Sequence, residues 1–132
     1  MTQNTLIVSN WKMNLNFIQA KNLVTNLKNI EYNKKKISNV ICPQFLLLPI
    51  LNKLLEESDF VLGAQDFHFE FSGAYTGDTS IELVKDYNCK YSIIGHSERR
   101  ILHNESNSMI KKKVRLCLDN SIIPILCVGE SI

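Results

Sequence analysis

Five short runs of aliphatic and β-branched residues, each but the last followed by a stretch with helical periodicity, most tightly limit how this chain can fold. Leu6-Ile7-Val8, Val40-Ile41-Cys42, Phe60-Val61-Leu62-Gly63, Tyr91-Ser92-Ile93-Ile94-Gly95 and residues 123–128 are apolar without alternation. Such runs suit strands covered on both faces, as in a parallel sheet. Pro124 stands near the start of the last run, where a strand tolerates it best. Phe17, Ala20, Val24 and Leu27 share one face of a helical segment that Asn14 or Asn16 can cap. Leu47, Leu51, Leu54 and Leu55 mark a second helix just after Pro43. Thr79-Ser80-Ile81-Glu82 fits a capping box and opens a third, with Val84 and Tyr87 inward. Ile110, Val114, Cys117 and Leu118 stripe a fourth that ends near Asn120, and Ser97-Glu98-Arg99-Arg100 opens a short helix directly behind the fourth strand.

This order predicts an α/β fold with right-handed crossovers. An open doubly wound sheet and a (β/α)8 barrel share the local pattern, and periodicity does not choose between them. No low-complexity linker or Gly/Ser-rich hinge divides the 132 residues, so one domain, 1–132, is expected. With 15 basic residues against 13 acidic, no field of one sign exists to hold nucleic acid or a membrane surface. The longest apolar stretch, 45–51, is interrupted by Pro49 and is far too short to span a bilayer. Met1-Thr2-Gln3-Asn4-Thr5 lacks the basic and apolar regions of a signal peptide, so a soluble cytoplasmic protein is the expectation. Cys42, Cys89, Cys117 and Cys127 form no C-x-x-C pair, which argues against zinc and dithiol chemistry.

The polar residues carry more information than the periodicity. Asn10 and Lys12 follow the first strand, Gln65 and Asp66 the third, His96 and Glu98 the fourth, and Glu130 the fifth. All therefore sit at the C-terminal ends of strands, the rim on which barrels and open α/β sheets alike bind ligands. Lys12 reads either as a solvated lysine or as a fixed cation for an anionic substrate. Asn10 serves backbone groups at the strand end or a ligand equally well. His96 follows Gly95 into a helical turn, where neighbouring amides favour a neutral ring able to donate a hydrogen bond. Glu98 is a first-turn helix carboxylate or the partner that orients Lys12. His68 and His103 read as structural. No glycine-rich phosphate loop is present, which weakens nucleotide and dinucleotide readings.

Five strings, in order along the chain, resemble the triosephosphate isomerase family. They are Ser9-Asn10-Trp11-Lys12-Met13-Asn14, Gly63-Ala64-Gln65-Asp66, Gly73-Ala74-Tyr75-Thr76-Gly77-Asp78, Ile93-Ile94-Gly95-His96-Ser97-Glu98-Arg99-Arg100 and Pro124-Ile125-Leu126-Cys127-Val128-Gly129-Glu130. The resemblance implies a (β/α)8 TIM barrel that interconverts dihydroxyacetone phosphate and glyceraldehyde 3-phosphate through an enediolate, in glycolysis and gluconeogenesis, without metal or organic cofactor. By match to the family's motifs, Asn10 and Lys12 bind the phosphorylated triose, and Lys12 stabilises developing negative charge. His96 matches the electrophile that polarises the carbonyl and shuttles protons. The resemblance also implies a neutral state for that histidine, as is general in the family. Ser97 matches the residue that holds the catalytic carboxylate in the unliganded enzyme, and Glu98 a carboxylate organising the Lys12 side. Residues 71–78 look like the family's homodimer loop, with Thr76 at its tip reaching toward the partner copy's substrate-binding residues.

The resemblance stops after the fifth strand, so a partial barrel of strands one to five with helices one to four is expected. Family members continue through three more strands, with the catalytic glutamate in a Glu-Pro-Val-Trp-type string, a lid and a glycine-rich phosphate grip. None of those strings occurs here, and Glu130 cannot be given the base's role by motif. The chain by itself is therefore expected to lack useful isomerase activity. The alternative is a non-catalytic piece that acts only by pairing with a complementary half or with itself. Another phosphate-binding barrel enzyme fits the motif set less well.

Overall fold

The computed structural model describes residues 5–130; residues 1–4 and 131–132 of the expected domain lie outside the described residues. Strands β1 (Thr5–Asn10), β2 (Ile37–Cys42), β3 (Phe60–Ala64), β4 (Tyr91–Ile94) and β5 (Ile123–Leu126) fall on the five apolar runs. Between them lie α1 (Phe17–Lys28), a 3-10 turn (Phe45–Leu47) leading into α2 (Leu48–Leu54), α3 (Ile81–Asp86), α4 (Ser97–Leu102) and α5 (Asn107–Asp119).

Each strand pairs in parallel with the one before it, in the order β1-β2-β3-β4-β5. The register matches Val8 with Val40, Val40 with Val61, Ala64 with Ser92 and Ile93 with Ile125. A doubly wound sheet reverses order at a switch point and carries helices on both faces. An unreversed order with crossovers of one hand keeps every helix on a single face. The two cores agree with this. Ile41, Leu62, Ala64 and Ile94 pack with Ala20, Val24, Leu51, Ile81, Val84 and Cys117 from the helices. The opposite face carries Val40, Cys42 and Ile93 against Val8, Val61, Tyr91 and Cys127, all from strands or strand ends. The sheet is thus a curled half-barrel, and the choice left open by periodicity falls to the barrel.

Local chemistry starts the helices. Asn16 caps α1, its Oδ1 accepting the Gln19 amide at 3.0 Å while Gln19 Oε1 accepts the Asn16 amide at 2.9 Å. Asn14, the other candidate, instead donates to the Trp11 carbonyl at 2.9 Å. The expected capping box at Thr79 is corrected. Ser80 is the extended residue, its Oγ accepting the Leu83 amide at 3.2 Å, and Glu82 is then one position too early to close a box.

Burial of the strands on both faces is corrected as well. It holds through the C-terminal halves of β2, β3 and β4, but β1 and β5 expose Leu6, Ile7, Ile123 and Leu126. An apolar run states what a strand would bury and is silent on whether it lies at a sheet edge. Phe17 and Leu118, placed on inward stripes by periodicity, are also exposed. No helix among the described residues is long and apolar enough to cross a membrane.

Candidate functional site

At the C-terminal ends of β1, β3 and β4 the rim opens into a cavity of about 710 Å³, lined among others by Asn10, Lys12, Gln65, His96 and Glu98. Lys12 sits one residue beyond Trp11, whose amide still bonds the Cys42 carbonyl of β2 at 3.0 Å. There the chain leaves the sheet in a left-handed turn, with Lys12 at φ 52°. A non-glycine residue holds that conformation only when its surroundings impose it. Asn10 Oδ1 accepts the Lys12 amide at 2.9 Å, and Gln65 Nε2 donates to the Lys12 carbonyl at 2.8 Å and to the Cys42 carbonyl at 2.9 Å. Gln44 adds a tie from the end of β2, donating to the Asn14 carbonyl at 3.0 Å. Asn10 therefore serves backbone and cavity together.

The lysine head is aimed as firmly as its backbone is held. Lys12 Nζ lies 2.7 Å from Glu98 Oε1. Glu98 is both a first-turn residue of α4 and the partner of Lys12. The Lys12 hydrogen bond holds its carboxyl below the usual carboxylate range, against an opposing effect of burial.

His96 is the N-cap of α4, and its Nδ1 accepts the Glu98 amide at 3.3 Å. A neutral ring that accepts at Nδ1 carries its hydrogen on Nε2. Ser97 opens α4 and is exposed. His103 caps the other end of that helix and also lines the cavity, whereas His68 stacks between Phe69 and Tyr75. All of loop 71–78, Thr76 included, is exposed, and neither Thr76 nor Glu130 lines this cavity.

Behind the rim lies a buried ionic cluster that sequence reasoning missed. Lys113 Nζ bonds Asp66 Oδ1 at 2.6 Å and also pairs with Glu105, and Arg99 Nε lies 2.7 Å from Asp66 Oδ2. Burial pushes the Asp66 carboxyl up, opposed by Lys113 and Arg99. Lys113 reads in sequence as the third of three surface lysines, 111–113. The available signal was its spacing, three after Ile110 and four before Cys117, on the buried face of α5. Among the described residues no group of three or more His, Cys, Asp or Glu side chains could hold a metal ion.

Comparison with known proteins adds a line independent of this geometry. The family model of triosephosphate isomerase matches residues 5–132. The chain is 45% identical over 127 residues to a triosephosphate isomerase of Dictyoglomus turgidum, covering 95% of this chain and 50% of that protein. A triosephosphate isomerase of Aquifex aeolicus is 43% identical over 126 residues, covering 95% and 51%. One from Clostridium botulinum is 41% identical over 127 residues, covering 96% and 51%. The chain spans about half the length of the curated relatives it matches.

Proposed function

Because the chain belongs to the triosephosphate isomerase family, we propose that it supplies the electrophilic side of a site interconverting dihydroxyacetone phosphate and glyceraldehyde 3-phosphate. The observation carrying this reading is that Lys12, fixed by Glu98, and His96, fixed by its own helix, face one cavity with Asn10. On this reading a carboxylate base takes the proton from the carbon next to the carbonyl. The C–H electrons form the enediolate C=C bond and the carbonyl electrons move onto oxygen. The Nε2–H of His96 polarises that oxygen, and the ammonium of Lys12 stabilises the charge that grows on it. Asn10 and Lys12 hold the phosphorylated triose, Ser97 holds the base before substrate arrives, and no metal or organic cofactor takes part.

The base is not among these residues, since no Glu-Pro-Val-Trp-type string occurs. Lack of a general base costs on the order of 10²–10⁴-fold in rate, so this polypeptide by itself is expected to show no useful turnover. A homodimer is part of the same reading. Phe71 and Tyr75 stand exposed on loop 71–78, and Met13, Leu46 and Leu102 stand exposed around the cavity. Apolar groups on both sides suit a second copy whose Thr76 approaches Asn10 and Lys12. A cytoplasmic location and a place in glycolysis and gluconeogenesis are carried over from the family.

The exposed apolar residues of β1 and β5 favour a second reading, a non-catalytic piece that works only by assembly. Mixing the chain with a polypeptide carrying the remaining strands and assaying triose phosphate interconversion separates the two. Turnover that falls at least a hundredfold in Lys12→Ala and His96→Gln is expected. A folded complex without turnover favours the second reading. Near-full turnover by the chain alone overturns the expectation of inactivity.

A further inference from the structure

We propose that Arg100 is the positioning residue of His96, its guanidinium fixing the peptide plane that precedes the imidazole-bearing carbon. The orientation of His96 is set by two peptide groups, whose carbonyls belong to Gly95 and to His96 itself. The first turn of α4 holds the second, the Arg99 and Arg100 amides donating to the His96 carbonyl at 2.9 and 3.1 Å. The Arg100 side chain holds the first, its Nε donating to the Gly95 carbonyl at 2.7 Å. The remaining guanidinium donors anchor this clamp to two other elements. Nη1 donates to Asn107 Oδ1 at the start of α5 at 2.8 Å, and Nη2 donates to the Cys127 carbonyl beyond β5 at 3.2 Å. One half-buried side chain thus ties the β4–α4 turn to α5 and to the end of β5.

Gly95 is fitted to the same arrangement. Its φ is 68°, and a Cβ there would stand 2.9 Å from Arg100 Nη2 and 3.0 Å from Ile110 Cδ1. A side chain at 95 would therefore be strained by the left-handed backbone and would press on the guanidinium beneath it. Lysine cannot take over, because one ammonium on a flexible stem does not reproduce a planar fork with three separate acceptors. The side chains of Arg99 and Glu98, the neighbours on α4, turn to other partners, Asp66 and Lys12.

The role rests on reading His96 as the hydrogen-bond donor of the site, so the test uses the ring itself and no turnover. Nitrogen-15 NMR of the full chain reads the His96 tautomer, and amide exchange reads the Glu98 N–H that Nδ1 accepts. In Arg100→Met the ring should move to a mixture of tautomers and Glu98 exchange should quicken by about tenfold or more, while amides of β2 and β3 stay within about twofold. Added methylguanidinium should restore both signals, and Arg100→Lys should not. Should Arg100→Met fail to fold, Asn107→Ala keeps the guanidinium and removes one anchor. A smaller change of the same kind is expected there, and no change overturns the proposal. An unaltered His96 signature in folded Arg100→Met, or loss of protection spread evenly over β2 and β3, overturns it too. Failure to find isomerase turnover in any assembly would remove the functional reading and leave these spectra to judge Arg100.

Discussion

Lys12 and Glu98 are each about half exposed, with side chains at 50% and 47% of full accessibility. An exposed pair of this kind contributes little to stability, so its value lies in aiming the ammonium rather than in holding the fold. Its pH behaviour follows from the lowered Glu98 carboxyl. The unfolded chain binds that proton more readily, so the pair's contribution is present above the ordinary carboxylate range and is lost as pH falls through the folded value. In Lys12→Ala the Glu98 midpoint, followed by carbon-13 NMR, should rise toward the ordinary 4.5. A midpoint that stays put would mean that something other than Lys12 holds the carboxyl down. At this scale the motif named the residues, but Asn10 was open between backbone and ligand, and Glu98 between a first-turn carboxylate and the partner of Lys12. Folding gives Glu98 both of its tasks across 86 positions of chain, and gives Asn10 a bond to the Lys12 amide at the cavity rim.

Elements are tied to one another by charges that periodicity alone files as surface. Lys113 on α5 bonds Asp66 after β3 and pairs with Glu105 before α5, with the lysine and glutamate side chains 3% and 1% exposed. Removing one partner of such a set strands the other charges without solvent. Lys113→Met should therefore cost about 3–5 kcal/mol in urea unfolding. A loss under 1 kcal/mol would show that Arg99 alone satisfies both carboxylates. Helix starts were legible where one polar residue had the right spacing, as at Asn16. They were misread where two adjacent residues could cap. Ser80 is extended and caps, while the Thr79 carbonyl accepts the His68 amide at 2.8 Å, a bond to a residue eleven positions back.

Among the described residues the molecule is a sheet with one face under helices and β1 and β5 at its two edges, and its proposed partner is a second copy. Thr76→Arg, at the tip of an exposed loop, should leave the protomer folded and weaken self-association by about tenfold or more in sedimentation velocity. A wild-type chain that stays monomeric at all concentrations would remove the loop from the interface. By itself, the sequence determined the alternation of strands and helices, the placement of polar residues at strand C-termini, and the family. Each is a local matter of residue type and spacing, written within about thirty positions of chain. Tertiary structure alone decided that the sheet curls with α1, α2, α3 and α5 packed on one side. It alone buried Lys113 and set Arg100 under Gly95. The physical reason is the same in each case. Strand order, edge exposure and the partner of a long charged side chain depend on neighbours far away in sequence, and no periodicity records them.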